Sequence, residues 1–211
     1  MSTIAVPEAT TAPTFKSAHF IGVGGAGMSG IALVLHERGF TVTGSDLKTS
    51  RYVRQLTRSG VNVHVGHKAA TIDEVKPDVV VVSTAIPETN PELMRARELG
   101  IPVWHRAKML SALGYGRTTV AAAGTHGKTT TSSMVATMLD RMGLDPSFLI
   151  GGVVEGYGTN GKNGDGEYFV VEADESDSSF LYLDPHVVIV TNVEADHMDH
   201  YGSLAEIEDT F

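Results

Sequence analysis

Residues 119–142 read TVAAAGTHGKTTTSSMVATMLDRM and decide the architecture of the second half of the chain. The apolar run 119–123 predicts a buried strand, and the apolar spacing within 132–142 predicts a helix. Between them lies a glycine-rich turn that ends in Gly-Lys-Thr, and this order is typical of a phosphate-binding loop. The usual loop, G-x-x-x-x-G-K-[ST], has glycine where this chain has Ala122. The alternative interpretation is therefore a glycine-rich turn with a chance lysine.

The residue types in this loop suit a nucleoside triphosphate. Glycine lets backbone N–H groups approach phosphate oxygens, and the N-terminus of a helix adds partial positive charge. Lys128 can reach the β- and γ-phosphates, and the Thr129 hydroxyl can ligate Mg²⁺. The predicted site consists of Gly124, Thr125, His126, Gly127, Lys128, Thr129 and Thr130.

The first half of the chain alternates segments with strand and helix patterns. Because repeated βα units form parallel sheets, this half predicts a doubly wound, Rossmann-like sheet. The strands are expected at residues 18–23, 40–44, 61–65, 78–85 and 101–104, and the helices at 28–38, 51–59 and 90–100.

The second unit is a P-loop NTPase-like α/β domain that looks truncated, because it supplies few strands for a parallel sheet. It adds strands at 168–173 and 186–193 and a short helix after Gly202. Its segment 155–167 contains five glycines and is expected to be a mobile surface loop. The predicted organisation is a disordered tail at 1–16, a Rossmann-like domain at 17–112 and the second unit at 113–211.

A second glycine loop follows the first predicted strand. Gly22, Gly24 and Gly27 fit G-x-G-x-x-G, and Asp46 ends the next strand, where an acidic group would meet a ribose hydroxyl. The alternative interpretation is structural: the glycines would only allow the strand and the helix to pack closely together. The pattern predicts a diphosphate at the N-terminus of a helix, and a nucleotide-sugar diphosphate would satisfy it as well as NAD.

Composition limits the functional classes. The net charge is −9, which argues against a sequence-independent nucleic-acid binder. The chain has no cysteine, and so neither a disulfide framework nor a thiolate metal site. Its first residues lack the pattern of a signal peptide, and no apolar run approaches the length of a membrane span. We expect a cytoplasmic protein without membrane insertion.

Two acidic segments end predicted strands of the second unit. They are residues 170–177, VVEADESD, and residues 191–200, TNVEADHMDH. Doubly wound sheets bind ligands at strand C-termini, and carboxylates beside a triphosphate indicate Mg²⁺ sites. A solvated acidic rim is the alternative, and by its chemistry alone His197 would be a hydrogen-bonding rim residue, since Mg²⁺ prefers oxygen.

Four stretches together resemble the Mur ligase family. They are residues 19–32 (HFIGVGGAGMSGIA), 123–131 (AGTHGKTTT), 172–177 (EADESD) and 192–199 (NVEADHMD). The family's shorter loop, G-T-x-G-K-T, accommodates Ala122. The resemblance extends from about residue 17 to residue 211 and implies a substrate-binding domain followed by the first part of an ATPase domain. The residues that hold adenine and receive the amino acid would lie beyond Phe211.

The resemblance also implies roles for individual residues. Lys128 would bind the β- and γ-phosphates of ATP. Thr129 and Glu172 would ligate Mg²⁺, and His197 would help to bind a second cation, so that Lys128, Glu172 and His197 form the catalytic set. The UDP-sugar would be bound by Gly22, Gly24, Gly25, Ala26, Gly27, Asp46, Ser83, Thr84, Ala85 and Ile86.

The implied reaction is ATP-dependent amide formation in peptidoglycan precursor synthesis. The lactyl carboxylate of UDP-N-acetylmuramate attacks the γ-phosphate, and the amine of L-alanine then displaces phosphate from the acyl phosphate. The stretch at residues 24–30 favours L-alanine over the intact peptide that a sibling enzyme attaches. Two alternatives stay open: an NAD-dependent oxidoreductase, and a nucleotide-binding fragment that has no activity of its own.

Overall fold

The computed structural model describes residues 12–173 and 183–194. Within these ranges the chain forms two five-stranded sheets with helices packed against them. No helix of this part is long and apolar enough to cross a membrane. The elements are, in chain order, β1 (Ser17–Ile21), α1 (Ala26–Glu37), β2 (Thr41–Asp46), α2 (Arg51–Arg58), β3 (Asn62–Val65), α3 (Ala69–Val75), β4 (Val79–Val82), α4 (Pro91–Glu98), β5 (Val103–His105), α5 (Arg106–Gly114), β6 (Thr118–Ala123), α6 (Lys128–Arg141), β7 (Ser147–Val154), β8 (Thr159–Lys162), β9 (Tyr168–Glu172) and β10 (Val187–Val190).

The first sheet is entirely parallel, with the strand order β3-β2-β1-β4-β5. This order confirms the Rossmann-like fold predicted from the alternating pattern. The strand order reverses beside β1, and ligands of such sheets bind at that point, beyond the C-terminal ends of the strands. The first glycine loop leaves the C-terminal end of β1 and is therefore placed where a ligand is expected.

The second sheet has the strand order β10-β6-β9-β7-β8. Its strands are parallel except β8, which pairs antiparallel with β7. The phosphate-binding loop follows β6 at the centre of the parallel part. Glu172 ends the neighbouring β9, so parallel pairing brings this carboxylate to the same edge of the sheet as the loop.

Helix α1 joins the two sheets, because it follows β1 of the first sheet and packs against the β7–β8 hairpin of the second. The contact is close at Gly30 and Gly161: a Cβ added at Gly161 would lie 2.9 Å from the carbonyl oxygen of Gly30. Asn160, which is buried, donates its amide to the carbonyl oxygen of Ala26 at 2.6 Å. Leu149 and Phe169 of the second sheet belong to the same hydrophobic core as α1. One hydrophobic core cluster therefore extends over both sheets.

Several predictions of local structure were wrong. The expected mobile loop at 155–167 contains β8, and Asn160 and Gly161 within it are buried. Strand β8 carries no apolar side chain of its own, and it is held by its pairing with β7 and its packing on α1. Helices α3 and α5 and strand β7 were not predicted at all. Helix α6 begins at Lys128, four residues earlier than its apolar pattern indicated.

Part of the expected tail packs against aromatic side chains, and the expected domain boundary, which stays a prediction, falls within a helix. The ring of Phe15, assigned to the tail, lies 5.4 Å from the ring centroids of both Phe40 and Trp104. Helix α5 runs across the boundary expected between residues 112 and 113, and it packs Met109 and Leu113 into the shared core. Residues 1–11 and the helix expected after Gly202 lie outside the described residues.

A buried polar network lies under the first glycine loop. Glu92 is fully buried, accepts a hydrogen bond from the Ser45 hydroxyl and lies 3.2 Å from Nδ1 of His67 and 3.6 Å from Nε2 of His19. Burial alone would raise the pKa of Glu92, but the contacts with His19 and Ser45 outweigh it and lower the pKa to about 2. The carbonyl oxygen of Ser45 in turn accepts the N–H groups of Gly22 and Val23. The network therefore supports the turn that opens the loop.

We expect Glu92→Gln to lower the free energy of unfolding by on the order of 2 kcal/mol at about pH 7. The pKa of Glu92 is lower in the folded chain than its ordinary value of 4.5, so the charge contributes stability above that value. This contribution is lost as the pH falls from about 4.5 towards about 2. Urea unfolding of both chains at about pH 7 and about pH 3.5 measures the difference, which should shrink at the lower pH.

Glu98→Gln is the matched control, because Glu98 is on the same helix with a side chain that is 60% exposed. Its effect should be small at either pH. An equal loss in both variants, or a loss from Glu92→Gln that does not change with pH, would contradict the assigned role of the buried charge.

Candidate active site

The phosphate-binding loop is the tight turn between β6 and α6. Gly124 has a φ of +121°, a conformation that side chains other than glycine rarely adopt, and it is packed against the segment after β10. A Cβ at this position would lie 2.3 Å from Oγ1 of Thr191. Gly127 also has positive φ, and it precedes α6 without a side-chain cap. The first N–H groups of α6 are therefore oriented into the loop, as phosphate binding requires.

Residues 191–194 hold this loop in place through hydrogen bonds. Asn192 accepts the N–H of His126 at 2.9 Å through its side chain and the N–H of Thr125 at 3.0 Å through its carbonyl oxygen. Thr191 donates its hydroxyl to the carbonyl oxygen of His126 at 2.5 Å. Sequence reasoning treated this segment as an acidic cluster and missed its structural role, because hydrogen bonds to a distant turn leave no pattern in the chain.

Lys128 is the first residue of α6, and its ammonium group lies over the mouth of the loop. Nζ donates to the carbonyl oxygens of Gly124 at 2.7 Å and of Thr125 at 3.1 Å. These bonds hold the ammonium group against the loop, and the predicted contact between Lys128 and the terminal phosphates stays a prediction.

Thr129 and Glu172 bring three oxygen atoms together beside the loop. The Thr129 hydroxyl lies 3.0 Å from each carboxylate oxygen of Glu172, and the N–H of Gly151 fixes that carboxylate from β7 at 2.8 Å. Hydroxyl and carboxylate oxygens are the donors that Mg²⁺ prefers, and this ion usually takes one or two protein ligands and completes its shell with phosphate and water. The two side chains thus fit a magnesium ion that also contacts the phosphates.

Not every predicted residue can be placed. His197 and residues 174–177 of the first acidic segment lie outside the described residues, so their roles stay predictions. Within the described ranges, no three His, Asp or Glu side chains lie close enough together to hold a metal ion.

The first glycine loop is anchored by Asp46. One carboxylate oxygen accepts the N–H of Gly24 at 2.8 Å, and the other accepts the N–H of Lys48 at 3.0 Å. Asp46 was predicted to meet a ribose hydroxyl, and a carboxylate that accepts two N–H groups still has lone pairs for a hydroxyl donor. The structure therefore adds a second task for this side chain, which is to hold the loop in shape.

Residues 83–86 follow β4 and border the first loop. Ser83 accepts the N–H of Ile86 at 3.1 Å, and the Ile86 side chain packs under Gly22. Thr84 and Ala85 are exposed beside them. The turn therefore lies against the predicted nucleotide-sugar loop, as expected for residues at the C-terminal end of a neighbouring strand.

A cleft of about 430 Å³ is lined by residues from both halves of the chain. They include Gly25, Ala26 and Gly27 of the first loop, Thr129, which follows the second loop in α6, and Glu172 at the end of β9. The remaining wall combines apolar side chains with two polar ones: Ser83, which the sequence predicted as a site residue, and Arg106, which it did not. The other lining residues include Met28, Ile31, Leu110, Leu149 and Gly151.

Arg106 was not predicted, although its place in the chain follows the rule that identified the other site residues. It directly follows β5, so it lies at the C-terminal end of a strand of the first sheet, where ligands of such sheets bind. The preceding strand is only three residues long, and no glycine loop marks the position. A single arginine after a weak strand pattern is not enough to predict a binding residue.

Two family models match the chain. One, described as the catalytic domain of the Mur ligase family, matches residues 17–117, and another, described as the Mur ligase middle domain, matches residues 122–211. The break between the two matches falls between the first sheet and the phosphate-binding loop.

Curated relatives match almost all of the chain. A UDP-N-acetylmuramate–L-alanine ligase of Mesorhizobium japonicum is 52% identical over 198 residues, which are 94% of this chain and 42% of that protein. A ligase of the same name from Methylobacterium sp. is 53% identical over 193 residues, which are 92% of this chain and 41% of that protein. The chain thus spans about two fifths of the length of the curated relatives that it matches.

Solved structures show the same arrangement of both sheets. The UDP-N-acetylmuramate:L-alanyl-γ-D-glutamyl-meso-diaminopimelate ligase of Neisseria meningitides superimposes with a TM-score of 0.85 at 35% identity, over 93% of this chain and 66% of that one. A UDP-N-acetylmuramate–alanine ligase of Thermotoga maritima gives a TM-score of 0.83 at 33% identity, over 92% of this chain and 45% of that one.

We expect Gly124→Ala to weaken the binding of MgATP at least about tenfold, because the added methyl group collides with Thr191 and distorts the loop. The matched control is Gly143→Ala, since Gly143 also has positive φ but has no atom within 4 Å of the added Cβ. Titration of the three chains with MgATP measures the effect. Equal affinities in the Gly124→Ala variant and the wild type would show that the packed turn is not needed for binding.

Proposed function

This chain belongs to the Mur ligase family, and we propose that it forms the nucleotide-sugar and ATP sites of a ligase that joins L-alanine to UDP-N-acetylmuramate. The observation that carries the proposal is the cleft, because it is lined both by a diphosphate-type loop and by Thr129 and Glu172 beside a triphosphate-type loop. A reaction between a group on the sugar and the terminal phosphate of ATP requires such a connection. The curated relatives at 52% and 53% identity, both named UDP-N-acetylmuramate–L-alanine ligase, support L-alanine as the amino acid.

The proposed first step transfers the γ-phosphate to the sugar. A carboxylate oxygen of the lactyl group forms a bond to the γ-phosphorus, the bond to the β–γ bridging oxygen breaks, and ADP leaves. Lys128 at the mouth of the loop and the N–H groups at the start of α6 stabilise the negative charge on the transferring group. When bound by Thr129 and Glu172, a magnesium ion supplies further positive charge beside the phosphates.

The proposed second step forms the amide. The amine of L-alanine attacks the carbonyl carbon of the acyl phosphate, the bond from that carbon to the phosphate oxygen breaks, and the amine loses a proton. Apolar walls, among them Met28, Ile31 and Leu149, limit the access of water to the reacting carbon. Because the chain spans only about two fifths of the length of its curated relatives, we expect the 211 residues alone not to complete this step.

The runner-up is an NAD-dependent oxidoreductase, which the first glycine loop and Asp46 would also suit. That function would give no role to the second loop, to Lys128 or to the pairing of Thr129 with Glu172. The two functions differ in the ligand that the first loop holds, so a binding experiment separates them.

We expect UDP-N-acetylmuramate at about 100 times its Kd to raise the thermal midpoint of the chain by roughly 5–10 °C, whereas NAD at the same concentration should not. Differential scanning fluorimetry measures both shifts. Lys128→Ala is the control variant: it should lose stabilisation by MgATP and keep that by UDP-N-acetylmuramate, because Lys128 belongs to the second loop and not to the first. Stabilisation by NAD, without stabilisation by the UDP-sugar, would favour the oxidoreductase.

A further inference from the structure

Arg106 gives the cleft an asymmetric charge. Among the described residues that line it, Arg106 and Glu172 are the charged ones. Glu172 lies at the end that would hold the metal and the γ-phosphate, whereas Arg106 lies on the wall beside Gly27 of the first loop. An anionic ligand that enters the cleft is therefore attracted to the wall at Arg106 and repelled by Glu172 at the other end.

The position of Arg106 is fixed by its neighbours. It is the first residue of α5, and the buried residues Ala107, Met109 and Leu110 anchor that helix in the core. The guanidinium group packs closely on the glycine loop, because a Cβ added at Gly27 would lie 2.9 Å from Nη1. The absence of a side chain at Gly27 thus makes room for this group beside the loop.

The proposed substrate carries two different anionic groups. Its diphosphate matches the backbone N–H groups of the first loop, which bind phosphate oxygens without a side-chain cation. In the bound sugar, its lactyl carboxylate has to lie between that loop and the side chains of Thr129 and Glu172. A carboxylate at this position needs a partner with positive charge. A guanidinium group presents parallel N–H donors that match a carboxylate in a bidentate pair.

We propose that Arg106 binds the lactyl carboxylate of the nucleotide sugar and holds it in the cleft for its reaction with ATP. The assignment rests on the proposed function and makes Arg106 a residue that determines substrate specificity. A nucleotide sugar without the lactyl group would leave the guanidinium group without this partner. The chain would therefore distinguish UDP-N-acetylmuramate from UDP-N-acetylglucosamine at this position.

The test compares the two sugars in wild type, Arg106→Gln and Arg106→Lys. Binding to the 211-residue chain is measured by calorimetric titration, and by ligand-observed NMR for a weak ligand. Arg106→Gln should weaken the binding of UDP-N-acetylmuramate roughly 10- to 100-fold, since it removes a charge-assisted pair. The affinity of Arg106→Lys, which keeps the charge but loses the bidentate geometry, should lie between those of the wild type and Arg106→Gln. The affinity for UDP-N-acetylglucosamine should change by less than about threefold in either variant.

Lys108→Gln is the matched control, because it removes one positive charge from the same helix. Its ammonium group lies 4.6 Å from the ring centroid of Trp104 and does not line the cleft. It should bind both sugars like the wild type. Urea unfolding of each variant identifies any loss of affinity that comes from a loss of folded chain.

Three results of this experiment would contradict different parts of the proposal. If wild type binds UDP-N-acetylmuramate and folded Arg106→Gln binds it equally well, the assignment of Arg106 is wrong while the proposed function stands. If the variant loses both sugars equally, Arg106 binds the diphosphate that they share, and the assignment to the carboxylate is wrong. If wild type does not bind UDP-N-acetylmuramate at all, the proposed function itself fails.

Discussion

The packing of α1 against β8 is the constraint on which the candidate site depends. At Gly30 and Gly161 the backbones approach so closely that a Cβ on Gly161 would lie 2.9 Å from a carbonyl oxygen. The buried amide of Asn160 adds a hydrogen bond of 2.6 Å to Ala26, in the first turn of α1. Because α1 starts at the first glycine loop and the hairpin belongs to the second sheet, this contact fixes the first glycine loop relative to the second sheet. The cleft lined by both halves of the chain is a consequence of that fixed geometry.

Each loop is also held by hydrogen bonds from neighbouring residues of its own half of the chain. The first loop is held by Asp46 and by the carbonyl oxygen of Ser45, which lies next to the buried network around Glu92. The second is held by Thr191 and Asn192 through hydrogen bonds to residues 125 and 126. Ligand-binding N–H groups have to point into open space in advance, so the remaining polar groups of each turn need protein partners. The supporting residues differ between the loops, but the physical requirement is the same.

The sequence predicts the parts of the fold that have strong local patterns. The Val-rich β4 and the apolar runs of β1 and β6 were recognisable because their residues are buried on both faces of a sheet, and the glycine loops follow two of them directly. Strand β8, with the sequence TNGK, has no such pattern, because pairing with β7 and contact with α1 stabilise it. Arg106 was missed for a related reason: its position in the cleft comes from the strand order of the first sheet and from the space beside Gly27. Local pattern thus indicates what each loop can bind, and tertiary packing determines which groups can meet between them.

The central claim is that the fixed cleft brings a sugar carboxylate to the γ-phosphate of ATP. A crystal structure of this chain with UDP-N-acetylmuramate, Mg²⁺ and a non-hydrolysable ATP analogue tests it most directly. The account predicts both ligands in the same cleft, with a lactyl carboxylate oxygen about 3–3.5 Å from the γ-phosphorus. Ligands bound in separate places, with the carboxylate pointing to solvent and more than about 8 Å from the γ-phosphorus, would contradict it.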